Sequence, residues 1–201
     1  MLNTKRDAII SAATDLFLER GFDDVSMDTI ASKADVSKRT IYSHFENKEI
    51  LFEAIMSAAC GCISSRSAIF DNNKYNHLPV AEFLYRFGDD YLRAIVEPKS
   101  IALYRAIVSQ AARFPKIGRQ FYEFGPSGCI DKFSKYLEQK SQVGELVIED
   151  PVRAATQFLS MLDMIMHMQL STCVRDSYSS EEIQSQVFGT VDTFLKAFGK
   201  A

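Results

Sequence analysis

The sequence predicts an all-α chain of about nine helices, with an N-terminal helix-turn-helix domain and a larger helical domain behind it. Three observations predict this. Apolar residues recur at spacings of three and four almost throughout, and no sustained strand-type alternation is present. Prolines and cap-forming residues stand where the apolar patterns begin. Near residues 50–60 the patterned segments change from short to long, which marks a domain change.

The elements follow in order. Ile9, Ala13, Leu16 and Phe17 fall at i, i+4, i+7 and i+8 and define one face of a first helix. Gly21 is expected to end it in a left-handed cap, with Phe22 making the apolar contact that accompanies such a cap. Ser26 is the expected N-cap of a short helix carrying Met27, Ile30 and Ala31. Ser37 is the cap of a second one carrying Ile41, Tyr42 and Phe45. Asn47 opens a longer helix through Ile50, Leu51, Ile55 and Met56. The expected division is therefore residues 1–48, a fourth helix over 48–65 as a bridge, and a second domain over 49–201.

In that second domain the polar stretch 71–77 reads as a loop. Pro79, Pro98, Pro115 and Pro151 each precede a helical pattern, giving helices over 83–96, 101–112, 117–137 and 154–170. Gly125-Pro126 should kink or break the third. The last helix starts at a capping box, Ser179 with Glu182, and carries the stripe Ile183, Val187, Val191, Phe194, Leu195 and Phe198.

Composition bounds the function. The chain has 201 residues, 47% hydrophobic and 24% charged, so it can bury a core and is not a disordered chain. No apolar run approaches the ~18 residues of a membrane span. Charges enter the N-terminus before a signal-type stretch could build, so a cytoplasmic location with no membrane partner is the expectation. The net charge of −3 argues against coating nucleic acid along a basic surface, but leaves local, site-specific binding open. Cys60, Cys62, Cys129 and Cys173 form no disulfide framework, and no His/Cys/Asp/Glu set has metal-ligand spacing. No phosphate loop, nucleophile elbow or carboxylate pair is present, so no catalytic residue, metal or cofactor is expected.

The informative stretch is 26–48, SMDTIASKADVSKRTIYSHFENK. Two short helices around Ala34-Asp35-Val36 describe a helix-turn-helix. Ala31 is small where the helices must approach. Ile30, Val36 and Ile41 are apolar where they must pack. Asp35 tolerates the left-handed backbone such a turn needs. The polar residues of the second helix begin at its N-terminus, the end that a recognition helix inserts into the major groove. The candidate double-stranded-DNA contacts are Ser26, Thr29, Ser37, Lys38, Arg39, Thr40, Tyr42, Ser43, His44 and Lys48. Arg39 suits guanine O6/N7 and Thr40 a thymine methyl, while Lys38, Tyr42 and His44 suit phosphates. Lys48 opens the next helix, whose free N–H groups favour an anion. Tyr42 is equally suited to packing its ring and showing only its hydroxyl. Four Lys/Arg (33, 38, 39, 48) stand against three acids (28, 35, 46), so any positive field is local. The plain alternative is a structural helical hairpin with no nucleic-acid role.

Residues 5–55 resemble the N-terminal domain of the TetR/AcrR family of bacterial transcriptional regulators. The resemblance rests on Arg20-Gly21-Phe22, Ser26, Ile30-Ala31, Ala34, Val36-Ser37, Ile41-Tyr42, His44-Phe45 and Lys48-Glu49. Many members have Gly where Asp35 stands. The segment PKIGRQFYEFGP (115–126) is similar to the AefR-like C-terminal subgroup. The resemblance implies a homodimer whose two recognition helices read a palindromic operator, and which most often represses until a small-molecule effector binds.

The helix over 154–170 is apolar nearly all round, and paired with the last helix it would form a four-helix interface with a second copy. Phe83, Tyr104, Phe121, Met164 and His167 are the candidate effector contacts, with Tyr91, Tyr122, Met161 and Met168 beside them. For each of these, ordinary core packing is the plain alternative, and for His167 a satisfied buried histidine. Two other functions stay open: an activator, and a small-molecule-binding protein or enzyme with a vestigial helix-turn-helix. Lys38, Arg39 and Lys48 at the groove-facing end argue against the second.

Overall fold

The computed structural model describes residues 4–55, 58 and 78–200. Its helices are α1 (Lys5–Arg20), α2 (Met27–Lys33), α3 (Lys38–His44), α4 (48–55), α5 (Val80–Val96), α6 (Pro98–Ala111), α7 (Pro115–Tyr122), α8 (Gly128–Gln142), α9 (Pro151–Ser171) and α10 (Ser180–Phe198). A π-helical turn, Glu123–Ser127, joins α7 to α8. Among the described residues there is no strand, only an isolated antiparallel bridge between Leu146 and Gly199, and no helix long and apolar enough to cross a membrane. The expected fourth helix is seen over 48–55 and at 58. Its remainder with Met56, Cys60 and Cys62, and the expected loop at 71–77 with His77, lie outside the described residues.

The chain forms two compact units. Among the described residues, one contains 4–58 and 102–122, the other 78–101 and 123–200. The expected division at residue 48 follows chain order, but the packing does not. Leu103, Ile107 and Ile117 are buried in the same core as Ile9, Leu16, Ile30 and Ile41. Arg113 pairs with Asp23 at 2.6 Å and Lys116 with Glu53 at 3.0 Å. Residues 102–122 therefore belong with the first four helices by contact, although they lie more than forty positions further along the chain.

Local chemistry explains the helix ends of the first unit. Thr4 caps α1 by accepting from Asp7 N. Gly21 ends it with φ 81° and ψ 165°. That is not the left-handed helical cap expected, but a still rarer backbone region open essentially only to glycine. Phe17, Phe22 and Phe52 then meet in mutual tilted and edge contacts at 5.1–5.5 Å. Burying each such ring stabilises the unit by about 1.5–3 kcal/mol. Asn47 Oδ1 accepts from Ile50 N at 2.8 Å and opens α4 as its position predicts.

The second unit is built on Phe83, Phe87, Phe133, Phe158 and Phe194, all essentially without exposure. Gly88 lets α5 approach α10 closely, since a Cβ there would stand 3.1 Å from Val187. Pro151 occupies the first turn of α9, capped by Asp150, and the Ser179–Glu182 capping box starts α10. Pro126 does interrupt the expected 117–137 helix. Lacking an N–H, it lies in the π-helical turn, and α8 restarts after it.

Candidate nucleic-acid interface

The α2–α3 pair is held from beneath by Ile30, Ala31, Ile41 and Phe45, all buried. Between the helices Asp35 takes φ 51°, the left-handed conformation expected of it, and Val36 N donates to Ala31 O at 3.0 Å. Ser26 and Ser37 cap the two helices in the same way. Each Oγ accepts from the backbone N–H three residues on, at 3.1 Å, and lies 2.8 Å from the hydroxyl of Thr29 or Thr40. These four residues thus set the helix starts, with Ser26 and Ser37 exposed and the threonines half-buried.

With Ile41 buried, the opposite face of α3 is open. Lys38, Arg39, Ser43 and His44 are exposed, and Tyr42 is 46% exposed, so its ring lies largely outside the core. Arg39 makes no hydrogen bond or ion pair among the described residues. Ser43 Oγ donates to Thr40 O at 2.7 Å. Lys38 Nζ donates to Asp28 Oδ2 at 2.8 Å, and that hydrogen bond and charge hold its pKa above the usual lysine value. Arg6, outside the stretch singled out in the sequence, lays its guanidinium 5.2 Å from the centre of the Phe45 ring, beside the end of α3. Only folding brings α1 there, so no local spacing signals it.

Lys48 is engaged within the fold. Its ammonium donates to Phe22 O at 2.6 Å and Val25 O at 2.9 Å, reaches Asp23 O at 3.3 Å, and lies 4.4 Å from the Phe22 ring centre. These contacts close the loop between α1 and α2.

The five effector candidates do not share one unit. Tyr104 and Phe121 are in the first, with ring centres 6.0 Å apart and both half-buried. Phe83, Met164 and His167 are in the second. Phe83 has no exposure and stacks on Tyr136 at 3.7 Å, so it is core rather than an open wall. Met164 is 59% exposed on a surface stripe of α9 with Met161, Ile165 and Met168. His167 is half-buried, and burial lowers its pKa.

A polar contact the sequence did not reveal lies nearby. Tyr91 Oη donates to Asp163 Oδ2 at 2.8 Å, and burial pushes Asp163 up to about 6 and Cys129 up to about 12. An open groove of about 490 Å³ runs between α5 and α10, lined by Tyr85, Arg86, Asp89, Asp90, Gln184 and Phe188, with none of the candidates in its wall. Among the described residues no group of three His, Cys, Asp or Glu could hold a metal.

A capped, two-helix head with a solvent-facing polar second helix, followed by a large helical unit, defines the class of one-component helix-turn-helix regulators. Family models match both parts: residues 9–55 match bacterial regulatory proteins of the tetR family, and residues 82–200 match the C-terminal domain of AefR-like transcriptional repressors. The chain belongs to the TetR family, with an AefR-like C-terminal domain. It is 33% identical to the solved flavonoid-responsive regulator FrrA, over 97% of each chain, with a TM-score of 0.79. A TetR-family transcriptional regulator from Mesorhizobium loti is 26% identical with a TM-score of 0.87, over 98% of this chain and 97% of that one. Among curated proteins, the negative regulator IcaR of the icaADBC biofilm operon of Staphylococcus aureus is 29% identical over 98 residues, 46% of this chain and 52% of IcaR. The chain spans about half or less of the length of the curated relatives it matches first.

Proposed function

We propose that the chain is a ligand-responsive transcriptional repressor that binds a palindromic operator in double-stranded DNA as a homodimer. The observation that carries this reading is the face of α3. Ser37 caps it, Ile41 anchors it, and Arg39 stands exposed at its first turn with no protein partner among the described residues. An Arg so placed suits a bidentate contact to guanine in the major groove. On this reading 1–48 is the reading domain and 49–201 carries effector binding and dimerisation.

The second copy is supported by α9 and α10. Met161, Met164, Ile165 and Met168 recur at i, i+3, i+4 and i+7 on α9, all exposed, and Phe188 is 62% exposed on α10. A Cβ at the adjacent Gly189 would meet nothing within 4 Å, which leaves room for close approach of another helix. An uncharged apolar stripe of this size is expected to be covered in a working protein. The similarity to the negative regulator IcaR supports repression, and the similarity to the flavonoid-responsive FrrA supports an aromatic, amphipathic effector. The proposed linkage is reciprocal: an effector that favours a dimer with the wrong separation of recognition helices weakens DNA binding by the factor by which DNA weakens effector binding. The proposed place of work is the cytoplasm, where the DNA is.

Selection of bound sequences from random duplexes tests the reading. An inverted repeat with half-sites about 10 base pairs apart, or a multiple of that, is expected. Recovery of no enriched sequence by a dimer that is folded and free of effector would overturn it.

A further inference from the structure

Residues 26–48 contain four cations, and the structure engages three of them internally. Lys33 pairs with Glu19 at 3.3 Å and lies 3.9 Å from Asp15. Lys48 is held by the carbonyls of the 22–25 loop. Lys38, in the first turn of the recognition helix, is held by Asp28 at 2.8 Å. Arg39 alone of the four is uncommitted among the described residues.

Stability does not explain the Asp28–Lys38 pair. Both side chains are largely exposed, at 60% and 67%, and exposed pairs of this kind contribute about 0–1 kcal/mol. The position says more. Lys38 stands beside Arg39 where a DNA backbone would pass, and its ammonium is already bound to an oxyanion in the geometry a phosphate would use. Resting on the DNA-binding reading above, we propose that Asp28 sets the strength of sequence-independent DNA binding. Its carboxylate acts as an internal stand-in for a DNA phosphate, so the head has little attraction for random duplex and depends on Arg39's base contacts.

The physical consequence lies in the ions. Sequence-independent binding is driven by release of counterions as protein cations neutralise phosphates. A Lys that must give up a carboxylate to meet a phosphate exchanges one anion for another and gains little. The carboxylate that remains at the face also repels the backbone. Removing it adds one productive cation per recognition helix, on every sequence alike.

The test uses the full chain with Asp28→Asn, Lys38→Met and the double variant. Fluorescence anisotropy is measured over a salt series on a random-sequence duplex and on a duplex selected from random DNA by the wild type. Asp28→Asn should tighten random-duplex binding about eightfold at 0.1 M salt for each phosphate gained, from a slope of about 0.9 per contact. It should steepen the salt dependence by that amount on both duplexes and leave the ratio of specific to random affinity unchanged. In the Lys38→Met background the same change should have much less effect. A thermal melt of each variant checks folding, and Lys38→Arg should retain the sensitivity to Asp28. An unchanged salt slope in Asp28→Asn, or an equal gain with Lys38 absent, overturns the proposal while the DNA-binding reading stands. A wild type that binds no duplex overturns both.

Discussion

Lys48→Met separates two roles that a lysine at the start of α4 could have. The substitution keeps the apolar stem and removes the ammonium. That ammonium makes short hydrogen bonds to the carbonyls of Phe22 and Val25 and sits over the Phe22 ring. Hydrogen bonds to a charged group contribute about 1.5–3 kcal/mol each, and the ring contact about 0.5–1 kcal/mol. The residue is half-buried, and water can replace part of what is lost. A net loss of about 2–4 kcal/mol is expected, which for a chain of this length lowers Tm by roughly 4–16 °C. The salt dependence of operator binding, measured below the melt, should not change. Thermal unfolding by circular dichroism and a salt titration on the same sample read the two effects separately. An unaltered Tm with a salt slope flattened by about 0.9 per subunit would show that Lys48 meets phosphate, and would refute the structural role assigned to it.

Three other outcomes are expected. Arg39→Ala should relax base preference at one position of each operator half-site at a cost of about 1–3 kcal/mol, read by repeating the selection with the variant; unchanged preference would remove Arg39 from the reading face. Ile165→Glu places a charge in the exposed apolar stripe of α9 and should yield a folded monomer by sedimentation with little operator affinity. Burial raises the Asp163 carboxyl in the folded state to about 6, above the ordinary carboxylate range, so its carboxyl favours folding fully below about pH 4, and that contribution is lost as pH rises through about 6. Asp163→Asn should therefore stabilise the protein at pH 7 by up to about 3 kcal/mol and flatten its stability between pH 4 and 7, as read by denaturant titration.

The features legible in the sequence are those whose causes lie within a few positions along the chain. Ser26, Ser37, Asn47 and Ser179 cap the helices their spacing predicts, because an N-cap acts on an amide only three residues away. Asp35 takes its left-handed turn for an equally local reason. Gly21 shows the limit of such reading: a positive φ was foreseeable, but its extended ψ was not, since that depends on where Phe22 is drawn into the core.

The candidate site was legible as a set of exposed polar residues on α3 but not as an electrostatic arrangement. Counting charges over 26–48 treats Lys33, Lys38, Arg39 and Lys48 as equals. Folding pairs the first with α1, the second with α2 and the last with a loop more than twenty residues earlier. Phe83 and Met164 are likewise indistinguishable in an apolar pattern, yet one is sealed against Tyr136 and the other faces solvent.

The amino-acid order by itself determined where helices start and stop and which side of each is apolar, because backbone capping and the 3.6-residue turn are short-range effects. The tertiary structure alone decided which cations are paired within the fold, which aromatic rings are core, and that residues 102–122 pack with the first four helices. Those outcomes depend on which distant groups arrive within a few ångströms, and charge pairing and close packing act only at that range.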